Sequence, residues 1–194
     1  MKRDTIMTKP IKSSFYSCEK DAETIIKKLF VSSRPYSDDL KRLLIINTKD
    51  CLDDSNENYR KIVENTSVKD LIEGEYITLI PKVKLKDHEE VKSHIILSFD
   101  EFYSTDNPEY RDCIISFDVF CHTDYWQLDN YQLRPFKILG IIDGIFNECK
   151  LSGIGTLKFF KCEEIILNDD ISGYSLYYRA THGNDDKIEG QWLC

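Results

Sequence analysis

The spacing of hydrophobic residues divides the chain into a helical first part and a strand-rich second part. After Cys18, apolar residues recur three and four positions apart, which is the spacing of one face of an amphipathic helix. Proline cannot continue the helical hydrogen-bond ladder, so this first helix is expected to end at Arg34–Pro35. Three more helices are predicted: one capped by Ser37 and continuing past Leu44, one near 57–64, and one near 67–73.

From Tyr76 onward, apolar and polar residues alternate, which is the pattern of β-strands. One helix interrupts the strands over residues 134–149, because Pro135 suits a first helical turn and isoleucines recur after it at helical spacing. Gly140 and Gly144 lie four residues apart on this helix and are expected to let it approach the sheet closely. The predicted strands are 76–85, 92–103, 110–123, 155–167 and 174–180.

These elements predict an α+β fold with a roughly five-stranded, mostly antiparallel sheet and one packed helix. We expect a single domain over residues 19–181, composed of a helical part (19–73) and a part with the sheet and its helix (74–181). Residues 1–18 are expected to form an arm without a core of its own, and residues 182–194 a polar tail.

Composition narrows the class of function. The 194 residues carry a formal net charge of −8, which disfavours a protein that grips nucleic-acid phosphates. No apolar run approaches the ~20 residues needed to span a bilayer, and neither a signal peptide nor a membrane partner is expected. The seven cysteines include no CxxC pair, so buried thiols in a reducing compartment are expected rather than a zinc site.

Acidic residues of the predicted sheet offer one catalytic hypothesis. Asp100 and Asp118 lie on neighbouring strands, and with Glu163 and Glu164 they could form the metal centre of a nuclease. However, no lysine follows the glutamates at the spacing expected of such nucleases, and a solvated sheet face explains the same residues. We therefore expect no enzymatic activity, no metal and no cofactor.

Two groups of residues are candidates for protein–protein contacts. The loop before the predicted helix concentrates residue types that are enriched at interfaces: Tyr125, Trp126, Tyr131 and Arg134. The alternative is that these residues cap the core beneath the helix. The second group is a basic row of Lys82, Lys84 and Lys86, which is typical of a solvated strand edge and could also contact DNA or an acidic partner.

Four segments carry a family resemblance. They are Ile115–His122 (ISFDVFCH), Leu133–Ile138 (LRPFKI), Gly153–Leu157 (GIGTL) and Gly173–Tyr178 (GYSLYY). In this order they resemble the neck and tail-completion proteins of tailed bacteriophages, over roughly residues 76–181. The resemblance implies an α+β sandwich that assembles as a closed ring, stops growth of the tail tube and joins the tail to the head.

The resemblance also implies partners and a location. The partners would be copies of the chain itself, other neck, connector and tail-tube proteins, and DNA that passes through the ring lumen without specific binding. The protein would be assembled in the host cytoplasm and would reside in the neck of the virion. The alternatives are a non-ring adaptor in the head–tail connector and the metal-dependent nuclease.

Overall fold

The computed structural model describes residue 15 and residues 18–79, 93–107 and 110–183. Five α-helices occur in this part of the chain: α1 Cys18–Lys27, α2 Tyr36–Ile45, α3 Glu57–Asn65, α4 Val68–Glu73 and α5 Arg134–Phe146. The strands are β1 Ile77–Thr78, β2 His94–Ser104, β3 Tyr110–His122, β4 Lys150–Leu151, β5 Gly155–Thr156, β6 Lys158–Ile166 and β7 Ile171–Gly183. A π-helical segment, Lys28–Ser32, follows α1 directly.

The main sheet has five strands in the order β1-β2-β3-β7-β6. Only the β1–β2 pair is parallel, and the other pairs are antiparallel. The predicted α+β fold with a mostly antiparallel five-stranded sheet is therefore confirmed. The predicted fourth strand divides in two, because β5 pairs with β4 in a separate two-stranded sheet and β6 joins the main sheet. The predicted first strand beyond residue 79 lies outside the described residues.

The core lies on one face of the main sheet, which we call the inner face. Side chains of β2, β3 and β7 on this face pack against α1, α2 and α5 in one continuous apolar cluster. Phe117, at the centre of β3, is completely buried. Its ring centroid lies 5.2 Å from that of Phe146 on α5 and 6.0 Å from that of Tyr178 on β7. The opposite face of the sheet is called the outer face below.

Helices α4 and α2 begin in different ways. Ser67 caps α4: its hydroxyl accepts a hydrogen bond from the Asp70 amide, while the Asp70 carboxylate accepts one from the Ser67 amide. The prediction that Ser37 caps a helix is wrong, because α2 begins at Tyr36 and Ser37 lies buried in its first turn. Pro35 occupies the cap position and offers no side-chain hydrogen bond.

The helix predicted over 134–149 is shorter than expected. It ends at Phe146 because the backbone of Asn147 is extended, with φ −62° and ψ 127°. The expected role of Gly140 and Gly144 is also wrong. A Cβ atom added at either glycine would meet no atom within 4 Å, so both face open space rather than the sheet. The sheet side of α5 is occupied by buried isoleucines, among them Ile138 and Ile142.

In the described part of the chain, no helix combines the length and the apolar character that crossing a bilayer requires. The six cysteines described are free thiols, of which Cys51, Cys113 and Cys121 are buried and Cys162 is exposed.

Replacing Phe117 tests the assignment of the core. Phe117→Ala removes a buried ring from between Phe146 and Tyr178, and the cavity left behind should lower the free energy of unfolding by about 3 to 5 kcal/mol. Urea unfolding would measure the loss. Tyr131→Ala is the matched control, because 93% of the Tyr131 side chain is exposed. It should change the free energy of unfolding by under about 0.5 kcal/mol. Equal effects of both changes would contradict this assignment of the core.

Candidate interaction surface

The loop between β3 and α5 is anchored by one buried arginine. The Arg134 guanidinium donates four hydrogen bonds to backbone carbonyls, through Nε to Tyr125 (2.9 Å), Nη1 to Leu43 (2.6 Å) and Ile46 (3.0 Å), and Nη2 to Thr48 (2.8 Å). Three of these carbonyls belong to the end of α2 or the segment just after it, where helical carbonyls lack partners of their own. The helical part and the loop are thus tied together by a single side chain.

This geometry corrects the prediction that Arg134 contributes to an interface. Its side chain is completely buried and its donors face carbonyls of the same chain. Arg134 takes the alternative role considered for the loop, which was to close the core beneath the helix. The planar fork of an arginine suits several carbonyls at once, whereas a lysine ammonium would act as a single point charge.

Tyr125 and Trp126 are half-buried and lie directly beside this anchor. The backbone amide of Arg134 donates to the Trp126 carbonyl at 2.7 Å, and the indole Nε1 donates to the Cys121 carbonyl at 3.1 Å. The two ends of the loop are therefore joined by a backbone hydrogen bond, and the Trp126 indole is held in place.

Most of the side chains exposed on the loop are polar, but Tyr131 and Leu133 add exposed apolar surface at its end. Tyr131 has a positive φ of 61°, and its side chain is 93% exposed. On the first turns of α5, Leu133 is exposed, and 51% of Phe136 is exposed while its ring lies 4.8 Å from that of Tyr174 on β7. We call Trp126, Tyr131, Leu133, Phe136 and Tyr174 the aromatic surface. Exposed aromatic residues on a rigid support are typical of protein-binding sites.

Strand β6 adds a second exposed apolar region that the sequence analysis did not identify. This strand forms one edge of the main sheet, and Phe159, Phe160 and Ile166 are exposed on it, Ile166 by 69%. A signal was present in the sequence: Phe159–Phe160 and Ile165–Ile166 are consecutive apolar pairs, and such pairs put a large apolar side chain on each face of a strand.

The backbone edge of β6 is poorly suited to pairing with another strand. A bulge between Phe159 and Lys161 breaks its register, and Lys158 and Lys161 add charge. Both features discourage edge-to-edge pairing of sheets. The faces of β6, rather than its backbone edge, are therefore the candidate contact region. Lys82, Lys84 and Lys86, the other predicted contact residues, lie outside the described residues.

The carboxylates of the nuclease hypothesis do not converge. Asp100 is the register partner of Ile114 and Asp118 that of Ile96, so the two residues lie on different rungs of the sheet. Each accepts a hydrogen bond from a serine hydroxyl, Ser116 to Asp100 at 2.6 Å and Ser175 to Asp118.

The two glutamates of that hypothesis also point apart. Glu163 and Glu164 are consecutive residues of β6 and therefore face opposite sides of the sheet. In the part of the chain that the structure describes, no three side chains of the metal-ligating types come together. Asp100 and Asp118 thus accept separate hydrogen bonds from Ser116 and Ser175, and Glu163 and Glu164 lie on opposite faces of β6.

Comparison with known proteins identifies a family. The family model YomW matches residues 37–180, about three quarters of the chain, and the chain belongs to this family. The name of the family derives from Bacillus phages of the SPbeta type, which agrees, at the coarse level of a phage-related protein, with the resemblance described above. A search of the curated proteins gave no match.

Substitution of the buried arginine tests its structural role. Arg134→Met leaves the carbonyls of Leu43, Ile46 and Thr48 without their donors, and should lower the free energy of unfolding by about 3 to 5 kcal/mol. Arg134→Lys should lose a large part of the same energy because it cannot form the fork. Chemical denaturation followed by tryptophan fluorescence is the measurement. Lys137→Met, one turn further on α5, is the control, and an arginine variant as stable as this control would refute the anchor.

The Asp118 carboxyl gives a pH-dependent prediction. Burial raises its pKa above the ordinary value of 3.8, the Ser175 hydrogen bond opposes this shift, and the negative charge of Asp100 adds to it. Because the folded state holds the proton more tightly than the unfolded state, this group's contribution to stability is complete below the unfolded pKa and is lost as pH rises through the folded pKa. Asp118→Asn should therefore be more stable than the original protein at about pH 7, and this advantage should vanish by about pH 3.

Thermal melts across this range measure the difference. Asp169→Asn, in the exposed turn between β6 and β7, controls for the general effect of removing a charge. A stability difference between Asp118→Asn and the original protein that does not vary with pH would be inconsistent with a raised pKa.

Proposed function

We propose that this protein is a structural phage protein of the neck, a tail terminator or head–tail completion protein that assembles with copies of itself as a ring. The observation that carries the proposal is the group of exposed apolar side chains on the edge strand β6 and at the start of α5, namely Phe159, Phe160, Ile166, Leu133 and Phe136. In a chain of a family with a phage-derived name, such a surface favours function through assembly.

The rigidity of this surface supports the proposal. Binding costs free energy when loops and side chains become ordered, and a surface that is already fixed avoids much of this cost. Trp126 is held by its hydrogen bond to Cys121, the Phe136 ring lies 4.8 Å from the Tyr174 ring, and Arg134 bonds the Tyr125 carbonyl at the start of the loop. A ring that carries mechanical load between head and tail benefits from contacts of this kind.

Net charge supports the proposed relation to DNA. A chain with a formal charge of −8 repels phosphate backbones, so a ring of such chains lets DNA pass through its lumen without specific binding. The further partners in this proposal are the neighbouring connector and tail-tube proteins, and the location is the neck of the virion after assembly in the host cytoplasm.

Removal of the exposed aromatic side chains tests the proposal. The double variant Tyr131→Ser with Phe136→Ser should fail to support assembly. It should still fold, which thermal melts verify, because Tyr131 is 93% exposed and Phe136 is 51% exposed and lies outside the buried core. In a phage that encodes the protein, we expect filled heads and separate tails, seen by electron microscopy, when this variant replaces the original. Tyr36→Ser, an equally exposed aromatic on α2, should support normal particles.

Three results would reject the proposal: particles with joined tails in the complete absence of the protein, normal particles with the double variant, or absence of the protein from purified virions. A purified protein that binds the particle as a single copy would favour the non-ring adaptor instead.

A further inference from the structure

The two faces of β6 carry opposite kinds of charge. On the outer face, Arg179 of β7 lies over the Phe160 ring, with its Cζ atom 3.9 Å from the ring centroid. Lys161 lies over Tyr177 in the same way, with its Nζ atom 4.6 Å from the ring centroid. Lys158 is the register partner of Arg179. We call Lys158, Phe160, Lys161, Tyr177 and Arg179 the basic face.

The carboxylates near the basic face already bind side chains of the same chain. Glu163 binds Lys161 at 2.8 Å, Glu101 accepts from the Tyr103 hydroxyl, and Asp112 accepts from Thr181 at 2.8 Å. Lys158 and Arg179 are both exposed, and neither forms an ion pair with any residue that the structure describes. Two cations that face each other across neighbouring strands repel, so an external anionic group would stabilise this pair.

The inner face of β6 carries an acidic side chain, and its residues are exposed to solvent as those of the outer face are. Helix α5 packs on β3 and β7, and leaves most of β6 uncovered. Glu164 and Ile166 are exposed there, together with Phe159, of which 49% is exposed. Glu164 is the register partner of Tyr174 and has no cationic partner among the described residues.

The flank of α5 extends this inner region. Asp143 accepts a hydrogen bond from the Tyr178 hydroxyl at 2.8 Å, and Phe136 lies against Tyr174, so both side chains lie on the sheet's β7 side. Gly140 and Gly144 follow Phe136 at intervals of four residues and leave open space beside it, which permits a neighbouring chain to approach closely. We call Phe136, Asp143, Phe159, Glu164 and Ile166 the acidic face.

We infer that the basic face of one copy packs on the acidic face of the next copy, with Arg179 directed at Glu164. The inference rests on the proposed function and names the contact through which the copies assemble. Each face combines exposed aromatic or aliphatic side chains with an unpaired charge, and the two charges have opposite signs. Apolar contact supplies the affinity, and charge complementarity fixes the orientation.

The geometry of this contact is head-to-tail. Because the two faces differ, a copy that binds one neighbour through its basic face keeps its acidic face free for another. Repetition of one heterologous contact produces a ring when the rotation between copies closes. A symmetric dimer made by pairing two β6 edges is disfavoured by the bulge and the lysines of that strand.

Charge reversal tests the contact in solution. Arg179→Glu sets two carboxylates against each other, Glu164→Arg sets two guanidinium groups against each other, and each should weaken self-association roughly 100-fold. An equimolar mixture of the two variants should assemble again, because every contact in an alternating array then joins opposite charges. The double variant Arg179→Glu with Glu164→Arg should assemble alone for the same reason.

Light scattering coupled to size-exclusion chromatography, over a series of protein concentrations, measures these associations. Lys61→Glu and Glu64→Arg, on the exposed side of α3, are matched reversals that should leave association unchanged. Thermal melts verify that all variants are folded. The inference is overturned if either single reversal associates like the original protein, if the mixture fails to assemble while both variants are folded, or if the original protein stays monomeric at every concentration.

These outcomes are separable from those of the proposed function. Copies that assemble through Arg179 and Glu164 but are absent from virions would sustain the contact and reject the neck role. A protein located in the neck whose assembly ignores both reversals would sustain the role and reject the contact.

Discussion

The position of the loop before α5 against the end of α2 is fixed by the bonds that one guanidinium makes with four carbonyl groups. Removing an arginine from water is costly, and the cost is offset here by carbonyl dipoles at the end of α2, where the helix dipole is negative. The same side chain bonds the Tyr125 carbonyl, and the backbone amide of Arg134 bonds Trp126. These bonds fix the loop, the start of α5 and the end of α2 relative to one another. They therefore also fix the backbone that carries Trp126 and Phe136 of the aromatic surface.

The open surface at β6 follows from the size and placement of α5. This helix is 13 residues long and packs over β3 and β7, which places its apolar side on the middle of the sheet. The outermost strand then receives little cover, and its side chains remain exposed on both faces. An exposed edge strand tends to pair with other chains, unless charged side chains prevent this pairing or another molecule covers the strand. The lysines and the bulge of β6 protect its backbone, whereas Phe159, Phe160 and Ile166 remain available for contact.

Hydrophobic periodicity was sufficient to predict the fold class and the order of the elements, because burial on one face imposes a spacing that the sequence must show. Local signals gave mixed results. Ser67 caps a helix because Asp70 lies three residues later and completes a capping box, whereas Ser37 follows Pro35 and is drawn inside the first turn. A glycine pair reveals only where a side chain is missing. The spacing of Gly140 and Gly144 did not predict whether they face the sheet or the solvent. The buried isoleucines of α5 occupy the side of the helix that faces the sheet.

The candidate site was harder to predict because its members act over long separations. Arg134 binds carbonyls about 90 residues earlier in the chain. Because every residue has a backbone carbonyl, the sequence does not indicate which carbonyls a buried arginine will bind. The exposure of β6 depends on which strand the helix covers, which is a property of the whole sheet.

The net charge does not show how charge is distributed over the surface. At −8 it describes repulsion between whole molecules, while the outer face of β6 is locally basic. Salt screens charges beyond about 8 Å at physiological ionic strength, so the long-range repulsion weakens while contacts at bonding distance persist. Copies of an acidic protein can therefore meet through a small basic face, provided that apolar side chains such as Phe160 and Ile166 supply the short-range attraction.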